Sequence, residues 1–418
     1  MSDLLWPGDH RAAGLFDDAA FLGACLQVEA AWSAALAAGG LAPGDAVVDV
    51  DGLRSLVGVH DRGDLAVTAE AGGNPVIPLV TLLRSRLPDG SPVATWLHRG
   101  LTSQDVVDTA LMLCARDALA VVRSDLLSQV EVLYALVQEH RRTPMVARTL
   151  TQHAVPTTFG LRAAQWLVAV LDAWDGLDGL RLLAQLGGAG GTMAAAVELA
   201  GHLPDPVAAV AGPDGVTSDA ARRLGLALDL PWHTVRTTLT RLGEVSLRCT
   251  DAWGRIADDV LLGSRPEVAE LSEGTAGGSS TMPHKANPVL SVLVRRAALT
   301  APGLASTLHV AAAGSGEERP AGAWHAEWAT LRTLLRRTVV AGSQTTDLLR
   351  GLQVHVDRMA ATLAAAGRSV RSEQDVMADL AGRPPASDYL GAADFYLDAV
   401  LHRAAATSAT APTTGDVR

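Results

Sequence analysis

Between Thr102 and Pro144 the chain contains neither glycine nor proline, and good helix formers dominate the interval. This predicts one helix of about 40 residues, roughly 60 Å long at 1.5 Å per residue. Apolar residues at Val107, Leu111, Cys114, Ala118 and Val122, then at Leu126, Val130, Leu133 and Val137, recur at helical spacing and form a stripe that must be buried. Thr102 or Ser103 can cap the start, with Asp105 and Asp108 complementing the positive dipole end. His140, Arg141 and Arg142 sit near the negative end, and Pro144 stops the helix.

Further long helical patterns cover residues 158–186, 232–262, 288–300 and 324–349, separated by Gly/Pro-rich connections. Nothing comparable reads as a sheet, so the fold class is all-α. Long helices joined by short loops imply an elongated bundle, and apolar stripes on more than one face imply packing against copies of the same chain. Three domains are expected: a mostly helical one over 1–97, a central long-helix bundle over 98–349, and a small helical one over 350–418 whose residues 406–415 read as a disordered tail.

With 418 residues, 48% of them hydrophobic, the chain can bury a large core. A net charge of -11 and a pI near 5.5 offer no field for nucleic acid or anionic lipid. The first residues lack a basic segment followed by an apolar one, and no apolar stretch approaches the roughly 20 residues that span a bilayer. No membrane partner and a cytoplasmic location are therefore expected. Cys25, Cys114 and Cys249 are far apart and odd in number, which suits a reducing compartment. Neither a CxxC pair nor an HExxH spacing occurs, so no catalytic metal is expected. His10, His60, His140, His202, His309, His355 and His402 read as surface or capping residues.

The most specific segment is Gly277-Gly278-Ser279-Ser280-Thr281-Met282-Pro283-His284-Lys285-Ala286-Asn287-Pro288. Paired glycines give a mobile approach, two hydroxyls follow, and Lys285 and Asn287 arrive where Pro288 opens a helix. Lysine and a helix N-terminus both favour negative charge, and Asn supplies an amide donor to a carboxylate. A serine works as a base only if such a positive surrounding stabilises its alkoxide.

This string resembles the SSxMPxKxN signature of the fumarase/aspartase superfamily. The resemblance implies that Ser279 is the catalytic base, that Lys285 and Asn287 hold a substrate carboxylate, and that Ser280 and Met282 line the substrate site. Leu101-Thr102-Ser103-Gln104-Asp105-Val106-Val107-Asp108-Thr109 is similar to the superfamily's TSxDxxDT segment, which implies substrate contacts from Thr102, Ser103 and Gln104. His98 matches a family position that contacts substrate. Arg148-Thr149-Leu150-Thr151-Gln152-His153 looks like a further family segment, implying substrate contacts from Arg148, Thr149 and Gln152, with His153 orienting a carboxylate; its structural alternative is a helix-helix turn. Gly187-Gly188-Ala189-Gly190-Gly191-Thr192 also resembles a family loop. The resemblance further implies a three-domain helical subunit, a homotetramer with sites shared between subunits, a di- or tricarboxylate substrate, and no cofactor.

Many members carry Arg-Thr-His in the second of these segments, and the histidine takes part in acid chemistry on the leaving group. This chain has Leu150 there. An amine or hydroxide must gain a proton as it departs, whereas a carboxylate, with an ordinary pKa near 4, leaves as the anion. The segments around Leu150 and at Gly322-Ala323-Trp324-His325-Ala326-Glu327-Trp328 resemble the carboxymuconate cycloisomerase form. Lactone closure by a carboxylate adding to a double bond is the implied reaction. The alternatives are a superfamily lyase with another weakly basic leaving group, such as a nitrosuccinate lyase, or an adenylosuccinate lyase-like C-N lyase.

Overall fold

The apolar stripe of the Gly- and Pro-free interval becomes the spine of an all-α chain. In a computed structural model, which describes residues 3–275, 277–278, 281–282 and 284–410, the helix Ser103–Glu139 runs for 37 residues. Val107, Leu111, Cys114, Ala118 and Val122, like Leu126, Val130, Leu133 and Val137, are at most 4% exposed. Full burial of each Leu or Val side chain contributes about 1.5–3 kcal/mol, so packing rather than propensity holds so long a helix. The other long helices are Phe159–Asp178, Thr237–Gly263, Val289–Ala313 and Ala323–Gly351. The helix expected to end at residue 300 continues through Pro302, although proline removes one backbone donor there. Buried Ala301, Ala305 and Leu308 keep it packed beyond that point.

The chain divides into two compact units, each holding part of the long helices. The first comprises Met1–Ala120, Leu180–Glu244 and Gly303–Arg336. Its core holds Leu26, Trp32, Leu36, Leu53, Leu83 and Trp324. Here the helix Asp18–Ala38 starts on Asp17, whose carboxylate accepts from the Ala20 N–H at 2.8 Å.

The second unit comprises Val121–Gly179, Val245–Pro302 and Arg337–Arg418. Trp166, Trp253 and Phe159 fill its core. Trp253 donates to Gln129 at 2.7 Å, and Gln129 donates to the Gly342 carbonyl and to Thr346 at 3.1 Å each, so one buried amide ties three helices.

Four expectations are corrected. Residues 144–158 form a β-hairpin, not a helix-helix turn: strand Pro144–Thr149 pairs antiparallel with Gln152–Thr158. Residues 406–410 are helical as the end of Ala393–Thr410, because Leu397, Leu401, Ala404 and Thr407 bury one face; residues 411–418 lie outside the described residues. His140 is buried, 3.0 Å from the Thr143 hydroxyl and edge-on to Phe159. Finally, Asp18–Ala38 and Val289–Ala313 are long and apolar enough to cross a membrane by length and composition alone, since the polar residues that interrupt the run still leave mean hydropathies of 1.4 and 1.2. The first of them packs Leu26, Trp32 and Leu36 into its unit's core.

Candidate active site

In the first unit the segment at the start of Ser103–Glu139 is anchored from below. Asp105 Oδ2 accepts from the Thr102 N–H at 2.9 Å, the back-reaching half of a capping box. The same carboxylate accepts from the Gly187 and Gly188 N–H groups at 2.9 Å each and from the Gln185 amide at 3.2 Å. Asp105 thus does more than complement a dipole, because it holds the glycine-rich loop against the helix start. Gly187 is required there: a Cβ would lie 2.4 Å from His233 Cε1 and 2.7 Å from Pro231 Cβ.

One turn further on, Asp108 takes both terminal nitrogens of Arg236, at 2.7 and 3.0 Å, and the indole N–H of Trp324 at 2.9 Å. Arg236 also donates to Glu327 at 2.5 and 3.0 Å. Burial lifts the Glu327 pKa above the ordinary carboxylate value even though Arg236 opposes the shift. Gln104 is fully buried, and its amide nitrogen is spent on Asp108 at 3.1 Å and the His233 carbonyl at 2.8 Å. Thr102 is half-buried and its hydroxyl accepts from Arg319 at 2.5 Å, while Ser103 is buried to 9% exposure. His98 stands just upstream, with its Nδ1 2.6 Å from Glu29 Oε1.

In the second unit the hairpin carries the other family segment. Thr149 pairs with Gln152, which leaves Leu150 and Thr151 as a two-residue turn with φ of 48° and 71°. Both lie in the left-handed region that such turns demand and that glycine or asparagine normally supplies. Leu150 is 96% exposed, and Thr149, Gln152 and His153 are exposed beside it. Arg148 meets Glu270 fork to fork at 2.9 and 2.8 Å. Arg148 and His153 line a cavity of about 770 Å³ together with Arg162, Arg265, Arg358 and Asp259.

The signature loop belongs to the same unit. Gly277 and Asn287 exchange two main-chain hydrogen bonds, at 2.8 and 3.0 Å, and the Asn287 amide donates to the Gly278 carbonyl at 3.1 Å. Lys285 and Met282 are exposed. Ser279 and Ser280, the expected base and its neighbour, lie outside the described residues. The helix end after Pro288 is not open to a ligand, which corrects the expected anion site there. Buried Glu273 accepts from the Leu290 N–H at 3.1 Å and from both the N–H and hydroxyl of Ser291 at 2.7 Å, so the positive dipole end is neutralised from within. Among the described residues, no group of three His, Cys, Asp or Glu is placed to hold a metal ion.

Sequence reasoning missed Glu29, Gln185, His233, Arg236, Glu270, Glu273 and Arg319. Of the buried Arg236 network, Asp108, Trp324 and Glu327 lay in segments singled out beforehand, whereas Arg236 itself did not.

Residues 61–303 match a protein-family model described as Lyase. The chain is 42% identical over 368 residues to a nitrosuccinate lyase of Streptomyces davaonensis, spanning 85% of this chain and 75% of that protein. It is 38% identical over 385 residues to a 3-carboxy-cis,cis-muconate cycloisomerase of Bradyrhizobium diazoefficiens, spanning 89% and 82%. Among solved structures, the 3-carboxy-cis,cis-muconate lactonizing enzyme of Pseudomonas putida aligns with a TM-score of 0.78 at 33% identity, over 95% of this chain and 86% of that one. The cycloisomerase from Acinetobacter calcoaceticus sp. ADP1 aligns with a TM-score of 0.81 at 27% identity, over 94% and 97%.

Proposed function

For a chain that belongs to the fumarase/aspartase superfamily of lyases, we propose a cofactor-independent 3-carboxy-cis,cis-muconate cycloisomerase. It interconverts 3-carboxy-cis,cis-muconate and a carboxymuconolactone by adding or expelling the substrate's own carboxylate across a C=C bond. The observation that carries this reading is Leu150, a side chain that cannot give or take a proton, at the tip of the hairpin where acid-bearing superfamily members place histidine. A leaving carboxylate needs no such acid.

In this reading Ser279 exchanges the proton on carbon, and Lys285 with Asn287 stabilises the charge that collects on a neighbouring carboxylate. The helix end cannot share that task, since Glu273 fills it. Thr102 and Ser103 from one segment, and Thr149, Gln152 and His153 from the other, bind the remaining carboxylates. The protein acts as a cytoplasmic homotetramer. Val292 and Leu299, seven residues apart on one helix and 52% and 70% exposed, support self-association.

The 42% identity to a nitrosuccinate lyase favours a second reading, because nitrite is also a weakly basic leaving group that departs without a proton. A panel of carboxymuconate, its lactone, nitrosuccinate, adenylosuccinate, argininosuccinate and aspartate, followed by ultraviolet absorbance and nitrite release, separates the two. Turnover of carboxymuconate or its lactone is expected. Nitrite release alone moves the assignment to the second reading, and efficient release of an amine overturns both.

A further inference from the structure

His98 is built into its place more rigidly than a surface histidine needs to be. Its φ of 62° lies in the left-handed region, where a non-glycine residue persists only if its surroundings impose it. They do so from both sides. The Leu97 carbonyl accepts from Arg84 at 2.6 Å and the Arg99 carbonyl accepts from the Trp32 indole at 2.7 Å, so the residues on either side of His98 are held by two helices.

The ring is then paired in one direction only. Nδ1 lies 2.6 Å from Glu29 Oε1, and the Glu29 side chain is wholly buried. Glu29 Oε2 is buried with no hydrogen-bond partner, so the hydrogen bond to His98 is the contact that compensates this carboxylate's burial. The ring is 17% exposed, and Nε2 has no partner among the described residues. We propose that Glu29 is a positioning residue that keeps His98 as a fixed imidazolium, whose free Nε2–H donates to a carboxylate of the substrate. The inference rests on the proposed function only for the ligand being a carboxylate.

The charged groups acting on His98 from the packed elements are Glu29, Arg84 and Asp105. Burial disfavours a charged ring, but Glu29, through its charge and hydrogen bond, outweighs burial and Arg84 and raises the pKa above the ordinary imidazole value. Carboxylate binding through His98 is then present below that raised value and lost as pH rises through it. Removing the Glu29 charge leaves burial and Arg84 in command, so the loss moves to lower pH.

The test is an imidazole nitrogen NMR titration of the wild-type chain, Glu29→Gln, His98→Gln and the double variant, with and without propane-1,2,3-tricarboxylate, a carboxylate that none of the proposed reactions consumes. In the wild type, His98 titrates above an ordinary histidine and its Nε2 signal moves on adding the tricarboxylate. Glu29→Gln brings the midpoint below the ordinary value and weakens binding at pH 7.5 by about tenfold for each pH unit by which the midpoint falls below that pH. The double variant binds no more weakly than His98→Gln alone. A wild-type His98 that titrates at or below the ordinary value overturns the inference even if Glu29→Gln fails to fold. So does an Nε2 signal indifferent to the tricarboxylate. No product is measured, so a failed substrate panel and a failed titration are separate results.

Discussion

Arg236 and Asp108 meet fork to fork inside the first unit, Nη1 2.7 Å from Oδ2 and Nη2 3.0 Å from Oδ1, with neither side chain exposed. Arg236→Met leaves Asp108 and Glu327 buried without a cation, and the expected loss is about 3–5 kcal/mol in urea denaturation at pH 7.5. Burial already raises the pKa of the Glu327 carboxyl, and the variant removes the Arg236 charge that opposes this shift. A carboxyl with a raised folded pKa favours the fold at low pH and loses that contribution as pH rises through the folded value, so the deficit shrinks on acidification toward pH 5. Arg236→Lys restores only part of the stability because an ammonium cannot serve both forks. Equal deficits at pH 5 and pH 8 count against this account.

Asp105 gathers the N–H groups of Thr102, Gly187 and Gly188 and the Gln185 amide on two oxygens. Asp105→Asn retains one acceptor oxygen and strands buried donors at about 1–3 kcal/mol each. Amide hydrogen exchange at Gly187 and Gly188 is expected to quicken well before global unfolding. If those amides exchange at the wild-type rate, the loop is held by something else.

Leu150 occupies a backbone conformation that glycine adopts freely. Leu150→Gly is therefore expected to raise stability by about 1 kcal/mol, read as a higher Tm. Turnover falls in the same variant, since the freed tip no longer holds its neighbours in one geometry. Leu150→His gives no amine release, because a working imidazole also needs a partner to fix its tautomer. A Leu150→Gly protein that is less stable than wild type refutes the strain argument.

All three cysteines are free and buried. Burial pushes the Cys114 and Cys249 thiols up to about 12 and raises Cys25 as well. Almost no thiolate exists at pH 8, so a disulfide reagent is expected to label none of them in the native protein and all three in urea. Rapid labelling of even one thiol in the native state contradicts the buried placement.

What was legible in the sequence was the part encoded locally. The helix Ser103–Glu139 announces itself through a repeat that each turn renews. The hairpin does not, because the sequence neighbours Met145 and Val146 are both buried just before a register shift between Val146 and Arg148, and the alternation that marks a strand is broken there. Its Leu-Thr turn also lacks the Asn-Gly signal. Glu29, Arg236 and Glu273 were invisible for another reason: their partners are 69, 128 and 18 residues away, and only the fold makes a buried charge beside an opposite one different from an ordinary surface charge. The signature string and the Thr102 segment stood out by composition and spacing, whereas the support beneath them had to be seen.

The exchange of hydrogen bonds between Gly277 and Asn287 uses main-chain atoms alone. The stretch it encloses can accordingly be treated as an interchangeable cassette: residues 279–286 can be swapped for the equivalent stretch of a relative while the clamp holds the entry and exit points in register. Among the described residues Gly277 is a fixed constraint, since a Cβ there would lie 2.1 Å from Val289 Cγ2. For an engineer this makes the loop a place to vary the residues proposed to move the proton and hold the carboxylate, with the helix Val289–Ala313 left as it is.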